Sequence, residues 1–162
     1  MAENLKDDTA EYVVNTCSPR DLSGPEIAAC IAIIKAGGAV AVNSAKLEGA
    51  KLLAVARRGH EIVGVGSVKR VRTEYASGIA RKSGFPFPAE TPELGYVAVT
   101  PQHWLNGLSH HLVAALLADQ QGSLFATTYD KRMKKTLTAA GFAKKGSEWR
   151  GRKHRLSLWV KR

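Results

Sequence analysis

The order of apolar and polar positions predicts a chain that alternates between strands and helices. Helical spacing of apolar residues predicts one helix from Pro25 to a stop at Gly37 and two more over 106–121 and 131–140. Runs of β-forming residues predict strands at 12–17, 51–57, 61–68, 93–100, 124–128, 142–149 and 154–160. A central strand–helix–strand unit between hairpins predicts an α/β fold with a mixed, twisted sheet of six to seven strands flanked by helices.

One segment interrupts this pattern. Residues 71–92 lose all periodicity and contain Gly78, Gly84, Pro86, Pro88 and Pro92. Glycine and proline at this density predict a long loop that is irregular or partly helical. Because long loops in compact domains are often functional, we expect this segment to shape a substrate site.

Length and composition predict one domain spanning residues 1–162, with a polar, flexible segment at residues 1–10. No apolar run is long enough to cross a bilayer, and the N-terminus lacks the basic and apolar regions of a signal peptide. We therefore expect a cytoplasmic protein with no membrane partner. Cys17 and Cys30 are the two cysteines and form no CxxC motif, so neither a structural disulfide nor a cysteine zinc site is expected.

Positive charge is concentrated near the C-terminal end of the chain. The formal net charge is +10, and twelve of the 24 lysines and arginines lie between Lys131 and Arg162, beside a single acid, Glu148. Such a region attracts phosphorylated ligands, acidic proteins or RNA. A basic surface that merely faces water explains the same charges equally well, and the sequence leaves both interpretations open.

The stretch from Val97 to His111 combines a strand, a proline, a short loop, a glycine and the start of a helix. A helix N-terminus presents unpaired N–H groups and the positive end of the helix dipole, while Gly107 and the small Ser109 allow an anion to approach. Neither a P-loop nor a dinucleotide fingerprint is present. His110 and His111 are adjacent and face different sides of a helix, so no metal site is expected there.

These residues resemble a motif of the GNAT N-acetyltransferases. Val99-x-Pro101 followed by Trp104-x-x-Gly107-x-Ser109 is similar to that family's acyl-CoA pyrophosphate loop, and Gly141-Phe142 is similar to its later Gly-Phe pair. The order of elements is similar over residues 11–162. The resemblance implies a GNAT-like acyl-CoA N-acyltransferase fold, acetyl-CoA as co-substrate and no metal. The cofactor-binding residues that it implies are Val97, Ala98, Val99, Leu105, Asn106, Gly107, Leu108, Ser109, His110 and Asp130.

Several positions depart from the family pattern. Trp104 stands where the family has glutamine or arginine, and Ser109 stands where it has glycine or alanine. Asp130 replaces an asparagine. The tyrosine that often protonates the departing thiolate is replaced by Leu137, so the usual general acid is missing or substituted.

Two residues are candidates for acid–base catalysis. Glu93 opens the strand that precedes the motif, where the resemblance to the histone-acetylating branch implies a general base. Strand alternation places residues 93, 95, 97 and 99 on one face, towards the acyl group. Tyr129 follows the next strand and is a candidate substitute for the missing acid. The alternatives are a solvated carboxylate for Glu93 and a half-buried aromatic residue for Tyr129.

The sequence therefore predicts an acetyl-CoA-dependent N-acetyltransferase that acts on a primary amine by direct transfer. A catalytically silent acyl-CoA-binding module is one alternative, which Leu137 and Trp104 favour. An acetyltransferase directed at RNA or tRNA is another, which the basic C-terminal region favours. The acceptor, whether a small molecule, a protein or tRNA, is not determined, and homodimer formation is left open.

Overall fold

The computed structural model describes residues 11–38 and 42–162, so the expectation for residues 1–10 concerns a segment outside the described chain. Seven strands form one mixed sheet in the order β1-β2-β3-β4-β5-β7-β6, in which β4 and β5 are parallel and the other neighbours antiparallel. The strands are β1 Tyr12–Cys17, β2 Leu52–Arg58, β3 Glu61–Lys69, β4 Glu93–Val99, β5 Leu124–Thr128, β6 Ala143–Arg150 and β7 Arg155–Lys161. The predicted α/β class with a mixed sheet and flanking helices is confirmed.

Five α-helices flank the sheet in the described part of the chain. They are α1 Gly24–Ala36, α2 Ser44–Glu48, α3 Thr73–Ser83, α4 Leu108–Asp119 and α5 Lys131–Ala139. Short 3₁₀ helices cover Pro19–Asp21 and Pro101–Asn106. The helix α1 begins with a capping box in which Ser23 Oγ accepts from the Glu26 N–H at 3.2 Å, and Pro25 occupies the first turn, as the sequence predicts.

Three helices differ in part from the sequence-based expectation. The segment 71–92, predicted as a loop that is irregular or partly helical, contains the helix α3, which buries Ala76, Ile79 and Ser83 on one face and begins without a side-chain cap. The helix α4 begins at Leu108 rather than at 106, because Gly107 has φ 68° and interrupts the helical backbone. The five-residue helix α2 was not expected, since so short a helix leaves no periodic pattern.

The helices pack on opposite faces of the sheet. Along β2, Ala54 and Ala56 belong to the core under α4 and α5, whereas Leu53 and Val55 belong to the core under α1. Ile79 of α3 packs with Phe125, Leu158 and Val160 in a third cluster, which lies on the α1 side of the sheet because Phe125 alternates with the α4-side residues Leu124 and Ala126. One face is therefore covered by α4 and α5, and the other by α1 and α3.

A bulge in β4 changes which residues share a face. Tyr96 has φ 51°, and the β3–β4 register shifts between Val65 and Ser67. Before the bulge, Leu94 packs under α4, and after it Val97 and Val99 do so, while Tyr96 and Ala98 pack with the α1 core. The expectation that residues 93, 95, 97 and 99 share one face is wrong, because the extra residue reverses the alternation.

Candidate functional site

The strands β4 and β5 diverge and open a cleft in the sheet. Within the described residues, Glu93 opposite Phe125 is the one registered pair between these strands. Beyond that pair lies a cavity of about 560 Å³, which is lined by both strands and by residues from α1, α4 and α5. Gly37 and Gly38 line it from the α1 face, and Ser109 and Thr136 from the α4 face, so the cleft passes through the sheet.

One mouth of this cleft lies at the N-terminus of α4. Gly107 adopts the left-handed conformation there, and no side chain of the described residues caps the helix. Its first N–H groups are therefore available to a ligand, and the absence of a Cβ lets an anion approach the backbone. The Ser109 and Thr136 hydroxyls lie 3.4 Å apart and join α4 to α5 at this mouth.

Five of the ten predicted cofactor-binding residues line the cleft. They are Val97, Ala98, Val99, Ser109 and Asp130. Asp130 also caps α5, because its Oδ1 accepts from the Arg132 N–H at 2.8 Å.

The other five predicted cofactor-binding residues are not part of the lining. Asn106 donates to the Tyr12 hydroxyl at 3.1 Å, and Gly107 and Leu108 contribute main-chain atoms at the start of α4, with the Leu108 side chain buried in the core. His110 lines a separate cavity of about 390 Å³ between α4 and α5. The side chain of Leu105 lies outside the described part of the structure.

Trp104 and Arg132 form an edge of the cleft that the sequence did not predict. The indole is 49% exposed, and its Nε1 donates to the Val99 carbonyl. The Arg132 guanidinium carbon lies 4.7 Å from the centre of the Trp104 ring, so a cation–π contact links the loop before α4 to α5. Both residues line the cleft, and together they border it on the α5 side.

The opposite mouth carries Tyr129, which is 47% exposed and lines the cleft. Its ring stacks on the His154 imidazole with centroids 3.8 Å apart. A Cβ added to Gly38 would lie 3.8 Å from the Tyr129 hydroxyl, so the C-terminus of α1 is also close. The stack brings the turn between β6 and β7 to this mouth of the cleft.

Glu93 is buried beside the cleft, whereas its two partners remain partly exposed, Lys69 with 23% of its side chain and Tyr75 with 46% of the residue. Glu93 itself is 4% exposed, and its carboxylate pairs with Lys69 Nζ at 3.1 Å and accepts from the Tyr75 hydroxyl at 3.0 Å. Glu93 is not among the lining residues, but the next two, Leu94 and Gly95, are. The alternative of a solvated carboxylate is therefore wrong, because this carboxylate has left water for specific partners.

Tyr75 was missed because it lies in the segment predicted as a loop. Burial of its hydroxyl and the neighbouring Glu93 carboxylate raise the pKa of Tyr75 well above its ordinary value. The phenol thus stays protonated and remains a hydrogen-bond donor to Glu93 at neutral pH. No motif marks this residue, and only the packing of α3 against the sheet brings it to β4.

Leu137, at the position of the missing tyrosine, is fully buried in the core under α4. It presents no functional group to the cleft. Among the described residues, no group of three or more His, Cys, Asp or Glu side chains is arranged to hold a metal ion. Nor is any described helix long and apolar enough to cross a membrane.

The basic residues of the β6–β7 turn are exposed. Arg150, Arg152 and Lys153 have no ion-pair partner within residues 11–38 and 42–162, whereas Arg155 lies 3.8 Å from Glu148. Because His154 of the same turn stacks on Tyr129, these charges lie near the α1-side mouth of the cleft.

No protein-family model matches the sequence, and no curated protein matches it either. Solved structures do resemble the fold. An acetyltransferase of the GNAT family from Streptococcus agalactiae aligns with a TM-score of 0.68 at 14% identity, covering 91% of this chain and 94% of that chain. Escherichia coli ElaA aligns with a TM-score of 0.71 at 10% identity, covering 94% and 100%. FeeM, an N-acyl amino acid synthase from uncultured soil microbes, aligns with a TM-score of 0.65 at 15% identity, covering 94% and 90%.

The chain therefore has the fold of the GNAT acyl-CoA N-acyltransferases, and the resemblance seen in the motif extends to the whole described architecture.

Proposed function

We propose that this protein is an acetyl-CoA-dependent N-acetyltransferase that moves an acetyl group directly to a primary amine. The observation that carries the proposal is the cleft between β4 and β5, which runs from the uncapped N-terminus of α4 to the C-terminus of α1. One mouth offers main-chain donors suited to phosphate, and the other offers polar side chains suited to an amine substrate. The GNAT-like fold supports the same reading.

The cleft has the chemistry that an acyl-CoA needs. Its volume of about 560 Å³ lies within the usual range for small-molecule sites. In this proposal the main chain at Val97 and Val99 pairs with the pantetheine arm, and the N–H groups at the start of α4 hold the pyrophosphate. The residues assigned to the cofactor are Val97, Ala98, Val99, Leu105, Asn106, Gly107, Leu108, Ser109, His110 and Asp130. Since the Trp104 indole already bonds the Val99 carbonyl, it must turn aside if that carbonyl is to pair with the arm.

Glu93 is the proposed general base. An amine must lose a proton to become a nucleophile, and a positioned carboxylate can accept it. Lys69 and the Tyr75 hydroxyl both contact the carboxylate and hold it in place. Glu93 is not a lining residue, although the next two residues, Leu94 and Gly95, are, so in this proposal the amine proton crosses only a short gap to reach its carboxylate.

Tyr129 is the proposed general acid for the departing thiolate. Its exposed position in the cleft supports this role, and the burial of Leu137 leaves no donor at the usual place. Direct transfer then needs no covalent enzyme intermediate and no metal.

Acetyl-CoA should stabilise the native protein, which a melting-temperature series can test. At about 100 times Kd the gain is about 2.7 kcal/mol, a shift of several degrees for a chain of this size. Coenzyme A release should then be measured across neutral, cationic and anionic amines. No thermal shift would refute the proposal. Binding without release for any amine would favour the alternative of a catalytically silent acyl-CoA-binding module.

A second candidate is an acetyltransferase whose acceptor is RNA or charged tRNA. The observation in its favour is the stack of His154 on Tyr129. This stack supports a location of the basic turn residues beside the α1-side mouth of the cleft, where the acceptor would enter. These residues are Arg150, Arg152 and Lys153. Polyanion binding of this kind weakens steeply with salt. Acetyl transfer to RNA with such a salt dependence would support this candidate over a small amine.

A further inference from the structure

Lys69 has an unusual environment for a lysine near the surface of a sheet. It ends β3, directly opposite Glu93, and its side chain is 23% exposed. Instead of extending into water, the side chain leans over Gly95, where an added Cβ would lie 2.7 Å from Lys69 Cε. Gly95 leaves room for this path, because a side chain at position 95 would push the flexible end of the lysine aside.

The ε-amine of Lys69 packs beside two residues of the cleft wall, although Lys69 itself is not among the lining residues. The Cβ position of Gly95 is 3.1 Å from Nζ, and the Tyr96 ring centre is 4.1 Å away. Gly95 and Tyr96 both line the cleft between β4 and β5. The amine is therefore held at the β4 bulge, on the α1 face from which we propose that the acceptor enters.

The same amine is within reach of the proposed base. Lys69 Nζ lies 3.1 Å from Glu93 Oε1, a separation at which a proton passes directly from one group to the other. A carboxylate and an aromatic ring around a primary amine are also the groups that would receive the amine of an external acceptor. Lys69 thus presents its amine to the groups that we propose for the amine of an external acceptor.

We propose that Lys69 is a self-acylation site of this protein, modified by the acyl-CoA bound in its own cleft. The proposal rests on the function proposed above. Glu93 takes one proton from the Lys69 ammonium, the nitrogen lone pair forms a bond to the acyl carbon, and the carbon–sulfur bond breaks. The electron pair of that bond leaves with the thiolate, which is protonated, and the nitrogen loses its second proton to solvent. The products are an uncharged amide at Lys69 and free coenzyme A.

The modification removes the charge that holds Glu93. An acylated Lys69 cannot form the ion pair, so the buried carboxylate keeps only the hydrogen bond from Tyr75. Self-acylation therefore changes the environment of the base that external acceptors need.

The test is to incubate the full chain with isotopically labelled acetyl-CoA and quantify label at every lysine by peptide mass spectrometry. Lys144 is the matched internal control, because it forms a similar 3.0 Å ion pair with Glu148 on β6. Neither lysine is among the cleft-lining residues, but Lys69 leans over the lining residue Gly95, whereas Lys144 pairs with a residue of its own strand. We expect label at Lys69 at least about tenfold faster than at Lys144, since the bound donor is held beside Lys69. The first-order rate constant should not change when the protein is diluted.

Two variants and one reagent sharpen the result. Lys69→Arg should lose the label at this position, and Glu93→Gln should slow it by about 10²-fold because the base is gone. Acetyl phosphate, which needs no cofactor cleft, should show no preference for Lys69. Label that follows exposure, with Lys144 and Lys82 ahead of Lys69, would overturn the proposal. If acetyl-CoA raises the melting temperature but Lys69 gains no label, only the self-acylation proposal is overturned. If neither the thermal shift nor the label is seen, the proposed function is overturned as well.

Discussion

The two mouths of the cleft differ in the groups that they present, which are main-chain N–H groups at one mouth and side chains at the other. On the α4 side, the candidate phosphate site consists of main-chain N–H groups at Leu108 and Ser109 after a glycine with φ 68°. On the α1 side, the candidate site consists of side chains. Tyr129, stacked on His154, lines the cleft, and Glu93 with its partners Lys69 and Tyr75 lies beside it. The first mouth depends on how the backbone is bent, and the second depends on which side chains the fold brings together.

This difference determines how strongly ligand recognition at each mouth depends on the identity of the side chains. Main-chain donors recognise a phosphate whatever the neighbouring residues are, so under the proposed function this site would tolerate Trp104 and Ser109 in place of the residues of the GNAT pattern. Side chains from β3, α3, β4 and the β6–β7 turn set the chemistry of the other mouth, and they come from distant parts of the sequence. The acceptor mouth is therefore where this chain can differ most from proteins of the same fold.

The largest expected effect is on acetyl-CoA binding and comes from changing the backbone at the α4-side mouth, the candidate phosphate site. Gly107→Val forces a β-branched residue into a left-handed conformation and pushes the helix start away from the ligand. We expect loss of the acetyl-CoA thermal shift, with the protein still folded. Gly59→Val is the control, because Gly59 has φ 62° and nothing within 4 Å of an added Cβ, at a turn whose residues are not among those lining the cleft. A normal shift in the Gly107 variant would remove this residue from the site.

The next largest effect is expected from a change at Glu93, which should lower turnover without changing acetyl-CoA binding. Glu93→Gln preserves shape and removes the basic group, so turnover should fall by about 10²-fold while acetyl-CoA affinity stays within about twofold. Steady-state kinetics and a binding titration measure these two quantities separately. Turnover close to wild type at neutral pH would show that another group, or water, accepts the amine proton.

A smaller effect is expected from the turn that carries His154. Reversal of Arg150, Arg152 and Lys153 to glutamate should raise KM for an anionic acceptor by about tenfold and flatten its salt dependence, with acetyl-CoA affinity kept. Reversal of the exposed Lys46, Lys51 and Lys82, which are not part of the cleft lining, is the control of equal charge. Unchanged kinetics in the first variant would mean that the turn only faces solvent.

The smallest effect concerns stability at alkaline pH. The pKa of Tyr75 is raised above its ordinary value of 10.0, so in the folded state the phenol keeps a proton that the unfolded chain releases. Its contribution is complete below pH 10 and is lost as pH rises through the folded-state pKa. Urea unfolding from pH 8 to 11 should show a shallower decline for Tyr75→Phe than for wild type. Equal slopes would mean that the Tyr75 hydroxyl is not buried against Glu93.

Much of the fold could be predicted from local pattern. The seven predicted strands and the helices now called α1, α4 and α5 all occur, with ends shifted by one or two residues. The segment 71–92 was predicted only as irregular or partly helical, and the bounds of α3 were not found, because Arg72 at the start of the helix provides no capping side chain and the helix contains Gly78. The bulge at Tyr96 was also hidden, since alternation alone predicts an uninterrupted strand.

The candidate site likewise has one part that follows from local sequence and one part that depends on tertiary packing. Gly107, Ser109 and the strand before them are contiguous in sequence, and the sequence by itself determined that a strand, a glycine and a helix N-terminus follow one another there. Only the tertiary structure decided that Lys69, Tyr75 and Glu93 meet, or that His154 stacks on Tyr129. The physical reason is range: main-chain geometry follows from neighbouring residues, whereas a buried ion pair or an aromatic stack exists only after distant strands and helices have packed.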